Sequence, residues 1–188
     1  MLGAMAGDII TTEHEGSASR VQFHPMSPEA RAVLCAALER FELDRGGIHG
    51  VAHWGRVRAN GLRLAAMTGA RTAVIEAFAF LHDSCREDDN DDPDHGDRAA
   101  EFAKYLSARR LLTLDPAGME LLVMACRWHS LGTVLDDVTV STCWDADRLD
   151  LGRIGIRPDP SRLCTDAAKD PAMIAWAFRS SGGSARHG

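Results

Sequence analysis

Thr72-Ala73-Val74-Ile75-Glu76-Ala77-Phe78-Ala79-Phe80-Leu81-His82-Asp83 is the stretch from which the fold is read. It is apolar almost throughout, so it predicts a buried, central helix from about Thr72 to Asp83. It closes on an adjacent His-Asp pair. A neutral imidazole supplies nitrogen to a borderline metal, and a carboxylate supplies charge and oxygen. At the end of a buried helix, His82 and Asp83 therefore suit a divalent metal ion. Two ligands do not complete a site, so the rest of the chain must provide others.

The flanking segments also read as helices. Ser27-Pro28-Glu29 combines an N-cap hydroxyl, a first-turn proline and an early acid, predicting a helix to about Phe41 that ends at Gly46-Gly47. A second helix is expected over about His49 to Thr68, stopped by Gly69. Asp94 is expected to cap a helix from about His95 to Arg110. Asp115-Pro116, Asp159-Pro160 and Asp170-Pro171 each place a capping carboxylate before a first-turn proline and announce three more helices. Another is expected from about Val140 to Leu151. Only Thr133 to Val140 has any strand character, and Asp136-Asp137 interrupts it. The acidic run from Glu87 to Asp94 reads as a solvated loop. No βαβ alternation or phosphate-binding glycine motif occurs. The expected architecture is all-α: a loose arm over 1–26, carrying His14 and His24, a helical domain over 27–179, and a Gly/Ser-rich tail over 180–188 with His187. Any site must lie between helices.

Composition narrows the function classes. The chain has 188 residues and a formal net charge of −6, which argues against a nucleic-acid scaffold but not against a small anionic substrate. Its five cysteines are scattered and form no CxxC, which reads as reduced thiols and a cytoplasmic location. No apolar run approaches the ~20 residues of a membrane span, and the start lacks the pattern of a secretory signal. Trp176 and Phe178 suit either the interior or the contact of a homodimer.

The residues able to carry chemistry are histidines on or beside helices, namely His49, His53, His82, His95 and His129, together with Asp145, Asp147 and Asp150. Arg56 shares the face of His53 at i+3 and offers a planar fork for phosphate oxygens. Asp147 and Asp150 share a face, while Asp145 points away from Asp147.

His53-x-x-Arg56-Val57, then His82-Asp83, then Ala146-Asp147-Arg148-Leu149, resembles in order and spacing the HD domain superfamily of metal-dependent phosphohydrolases. The resemblance spans roughly 49–157. It implies an all-helical fold and a metal held by His53, His82, Asp83 and Asp147. Asp147 is preferred to Asp145 because it follows a small residue and precedes a leucine by two. His49 is an alternative to His53, which is preferred for its following Arg-Val. The segment Asp92-Pro93-Asp94-His95-Gly96-x-Arg98-Ala99-Ala100 further resembles small bacterial HD proteins of unassigned substrate. Some branches hold a second metal with extra histidines in this interval, so the resemblance makes His95 and His129 candidates for a second metal, for a substrate phosphate or for proton donation. Where the (p)ppGpp-hydrolase branch carries the start of an acidic pair, this chain has Arg86, with Glu87-Asp88 one place later.

The expectation that follows is hydrolysis of a small phosphate ester, with a nucleotide as the default. Mn²⁺, Mg²⁺, Zn²⁺, Fe²⁺, Co²⁺ and Ni²⁺ all suit mixed nitrogen and oxygen ligands. Arg56 or Arg86 would hold phosphate charge, Glu87 or Asp88 would orient water, and His129 or His95 would protonate the leaving group. Two alternatives stand beside it. One is a His-rich dinuclear-iron oxygenase of the same superfamily. The other is a non-enzymatic, metal-stabilised ligand-binding domain.

Overall fold

The computed structural model describes residues 25–131 and 135–183; His14, His24 and His187 lie outside them. Among the described residues eight α-helices follow one another: α1 Pro28–Arg40, α2 Val51–Thr68, α3 Thr72–Leu81, α4 His95–Ala108, α5 Pro116–Trp128, α6 Val138–Arg148, α7 Asp166–Lys169 and α8 Pro171–Ser180. The described residues contain no strand. Short 3₁₀ segments extend α5 over His129–Leu131 and α6 over Leu149–Ile154. Among the described residues, no helix is long and apolar enough to cross a membrane.

Side-chain caps set several starts. Ser27 Oγ accepts from Ala30 N–H at 3.0 Å, Asp115 Oδ1 from Gly118 N–H at 2.8 Å, and Asp137 Oδ1 from Thr139 and Val140 N–H, both at 2.9 Å. Gly69 ends α2 with φ of 75°, a left-handed position that glycine adopts without steric cost.

Helix α3 is the centre of the bundle. Val74, Ile75 and the whole run Ala77 to Leu81 are buried, and α1, α2, α4, α5 and α6 all pack on it. Gly61 lets α2 approach closely, because a Cβ there would collide with Ile75 Cγ2. Asn60 Nδ2 donates to Ala146 O at 3.0 Å and ties α2 to α6, while Trp144 Nε1 donates to Ala125 O at 3.0 Å and ties α6 to α5. Truncating Phe78, which is fully buried, should cost about 3–5 kcal/mol.

The structure departs from the sequence reading in four places. Helix α3 ends at Leu81, though His82 keeps helical backbone angles and its N–H donates to Phe78 O. His49 lies in the turn before α2 and not inside it. Asp159-Pro160 starts only the 3₁₀ turn Pro160–Arg162, because Thr165 caps a fresh helix, α7, shortly afterwards. Val138 to Val140, read as strand-like, open α6 instead. On the arm, Met26 packs against the core.

Candidate metal centre

Six side chains converge from the ends of five helices. His53 comes from the first turn of α2, His82 and Asp83 from the end of α3, and His95 from the first residue of α4. His129 follows α5, and Asp147 sits near the end of α6. The close seating of α4 on α5 brings the last two histidines together. A Cβ on Gly96 would lie 2.7 Å from Cys126 O and 2.8 Å from Arg127 O, so only glycine lets His95 come this near His129.

The donors form two groups: His53, His82 and Asp147, and Asp83, His95 and His129. In the first, His53 Nε2 is 3.1 Å from His82 Nε2 and 3.4 Å from Asp147 Oδ1. In the second, His95 Nε2 is 2.9 Å from His129 Nε2. Asp83 joins them. Its Oδ1 lies 3.4 Å from His95 Nε2 and 3.6 Å from His129 Nε2. Its Oδ2 lies 3.5 Å from both His53 Nε2 and His82 Nε2. Five of the six side chains are at most 4% exposed, while Asp147 at 19% marks the side open to solvent.

The hydrogen bonds behind the imidazoles fix their tautomers. His82 Nδ1 donates to Phe78 O at 3.1 Å, His129 Nδ1 to Cys126 O at 2.7 Å, and His95 Nδ1 to Asp92 O. His53 Nδ1 donates to Asp150 Oδ2 at 2.7 Å. These partners only accept, so each Nδ1 carries the hydrogen, and in its neutral form each ring turns an Nε2 lone pair inward. The short Nε2···Nε2 approaches therefore set lone pair against lone pair, beside two carboxylates. A cation between them converts this repulsion into coordination, and imidazoles held from behind by carbonyl or carboxylate are the usual support of metal ligands. The residues present fit a divalent metal in each group.

Burial pushes His82 down to about 3, so its ring is neutral. Burial also pulls on His53, but Asp150, Asp83 and Asp147 outweigh it and raise its basicity. Burial would raise the Asp83 carboxyl, yet the surrounding imidazoles of His82, His129 and His53 hold it well below the usual carboxylate range.

Other anticipated residues take different places. Asp145 accepts from Cys164 N–H at 2.7 Å, Thr165 N–H at 2.8 Å and Thr165 Oγ1 at 2.7 Å, so it pins the turn before α7 and belongs to neither ligand group. Arg56 donates through Nε and Nη2 to Asp150 at 2.6 and 3.1 Å and braces the carboxylate behind His53. Arg86 donates to Asp83 Oδ1 at 3.0 Å and to Asp88 O at 2.9 Å. Glu87, with its side chain 64% exposed, stands 3.5 Å from Arg98 and is in neither group. Asp88 Oδ1 caps the local turn through Asn90 N–H. His49 is in neither group; its Nδ1 meets Asp89 Oδ1 at 2.9 Å.

Two supports have no counterpart in the sequence reading of roles. Asp150 orients His53, and its only signal was its spacing from Asp147. Asp92 orients His95 through its carbonyl while its carboxylate accepts a two-pronged bond from Arg98 Nη2. Arg98 also donates to Cys85 O at 3.0 Å. The acidic run is a loop with most of its residues exposed, as expected, and Asp92 and Arg98 tie it down beside His95.

In comparisons with family models, curated proteins and solved structures, the chain has no significant match.

Proposed function

We propose that this chain is an HD-type, metal-dependent phosphohydrolase acting on a small phosphate ester, with nucleotides as the first class to test. The observation that carries the reading is the pair of buried His/Asp donor groups sharing Asp83. Such an arrangement suits in-line displacement at phosphorus, where charge develops on both the attacking and the leaving oxygen.

When bound, divalent ions polarise a phosphoryl oxygen and make water a nucleophile at neutral pH. The chain's own residues do the rest. Asp83 spans the two groups and fixes their separation. Asp150 and the carbonyls of Phe78, Asp92 and Cys126 hold the four rings in one tautomer. Arg86 keeps Nη2 without a partner among the described residues and can meet a phosphate oxygen beside the centre. Arg56 contributes by holding Asp150. The mostly buried walls keep bulk water from the reacting centre. Nitrogen and oxygen donors without sulfur leave Mn²⁺, Mg²⁺, Zn²⁺, Fe²⁺, Co²⁺ and Ni²⁺ all suitable.

The test is phosphate release from a nucleotide panel by protein reconstituted with each of these metals, beside Asp83→Ala. The reading expects turnover by the wild type and loss in the variant together with its metal. Inactivity of the wild type with every metal would contradict it.

The second group, with its two histidines, also supports the reading of a dinuclear-iron oxygenase. Iron bound after anaerobic purification, with substrate-dependent oxygen consumption and no phosphate release, would favour that reaction.

A further inference from the structure

The four imidazoles of the two ligand groups find their Nδ1 acceptors in two ways. His82 and His129 use the helix that leads into them: the acceptors are Phe78 O, four residues back, and Cys126 O, three residues back. His53 and His95 stand in the first turns of α2 and α4, so no earlier turn of their own helix can supply a carbonyl. Their acceptors come from outside the helix: the Asp150 carboxylate for His53 and the Asp92 carbonyl for His95.

Each outside acceptor is held by an arginine three residues after the histidine. In His53-Trp54-Gly55-Arg56, Arg56 Nε and Nη2 donate to the two oxygens of Asp150 at 2.6 and 3.1 Å. In His95-Gly96-Asp97-Arg98, Arg98 Nη2 donates to the two oxygens of Asp92 at 2.6 and 2.5 Å. Residues three apart share a helix face, so the arginine reaches the same aspartate that the histidine meets. The unit of histidine, following arginine and outside aspartate occurs once in each ligand group.

In the second group this unit also takes the place of a local cap. Asp94, at the N-cap position of α4, makes no side-chain cap bond. The loop of residues 86–94 is exposed or half-buried, yet it must deliver His95 Nε2 to within 3.4 Å of Asp83 Oδ1. Arg98 Nε donates to Cys85 O at 3.0 Å, just beyond the end of α3. Asp92 Oδ2 accepts from Glu87 N–H at 2.8 Å as well. Arg98 therefore joins α4, the loop and the end of α3 at a carboxylate whose side chain is 7% exposed.

We infer that Arg98 is the positioning residue of the second ligand group. Through Asp92 it holds the His95 ring at Nδ1, and through Cys85 O it sets His95 against Asp83. Arg56 does the same for His53 through Asp150. This rests on the two metal groups of the proposed function and not on the ester they act on. It makes each group removable by a change behind the ligands, with every ligand left in place.

The experiment titrates Zn²⁺ into the chelator-stripped full chain in competition with a chelating dye. Arg98→Gln should bind one ion as the wild type does and the other about 10- to 100-fold more weakly. Arg98→Lys should lose less, because an ammonium can answer Asp92 but does not reproduce the fork that also reaches Cys85 O; it carries the same comparison if Arg98→Gln does not fold. The selective readout is a cycle with His95→Gln, in which the second group already lacks a ligand. Adding Arg98→Gln there should change nothing further, whereas adding Arg56→Gln should weaken the ion that is left. Arg98→Gln that binds both ions like the wild type, weakens both alike, or weakens the ion left in His95→Gln would overturn the role while leaving the metal centre intact. A wild type that binds no Zn²⁺, or only one ion, would overturn the two-group reading and this role with it.

Discussion

At the scale of single residues, the account turns on what stands behind each ligand. Asp150 is 1% exposed, accepts from His53 and from Arg56, and is separated from His53 by 97 positions. Asp150→Asn keeps the shape but gives up the carboxylate charge that holds the ring and answers Arg56. Metal affinity measured by competition with a chelating dye should fall about 10- to 100-fold; unchanged affinity would remove Asp150 from the site. Asp94, expected to cap the helix at His95, makes no side-chain cap bond. Among the candidate ligands, His82 and Asp83 were legible in the sequence as the close of an apolar run, while His53, Asp147, His95 and His129 were named through the resemblance to a family. Their supports were not. Asp150 and Asp92 matter through partners that only the folded chain brings near, and a carbonyl such as that of Cys126 leaves no mark in a sequence.

At the scale of elements, the end of α3 serves both candidate ligand groups, α2 and α6 complete the first, and α4 and α5 complete the second. His95 and His129 meet because α4 seats on α5 at Gly96, where the only room is for hydrogen. Gly96→Ala must push backbone against backbone. The expected result is loss of the second group's metal with retention of the first, read as a halved metal content in a protein of unchanged helicity. Loss of both ions, or of neither, would contradict the separation. Asp137→Ala removes the cap of α6 and should cost about 1 kcal/mol in denaturant unfolding. It should leave metal content unchanged, since α6 carries Asp147 at its far end. The caps and prolines also show how far local signals reach. Asp115-Pro116 and Asp170-Pro171 open α5 and α8 as the motif implies. Asp159-Pro160 yields a single 3₁₀ turn, and α7, with 4 residues, is too short to show helical periodicity.

At the scale of the molecule, the buried centre and the bundle stabilise one another. Asp83 is enclosed among imidazoles at the end of the central helix, with Arg86 paired to Oδ1 at 3.0 Å, and a buried carboxylate among nitrogen donors gains from a further cation. Ions that bind only the folded chain add stability by mass action, about 2.7 kcal/mol at a hundredfold excess over Kd. For a chain of this size the melting temperature should rise by about 5–10 °C when chelator-stripped protein is given Mn²⁺. The same midpoint with and without metal would mean that the cavity closes without it. The all-helical architecture was legible from apolar periodicity and helix stops. The sharing of Asp83 between two groups was not, because adjacency in sequence does not say which way each carboxylate oxygen faces.

The most direct measurement is the metal content of protein purified without oxygen, by elemental analysis, for the wild type and for Asp83→Ala. The account predicts two ions per wild-type chain, one for each ligand group, and loss of both when the shared carboxylate is removed. A wild-type chain that binds no metal, or a variant that keeps its full complement, would contradict it.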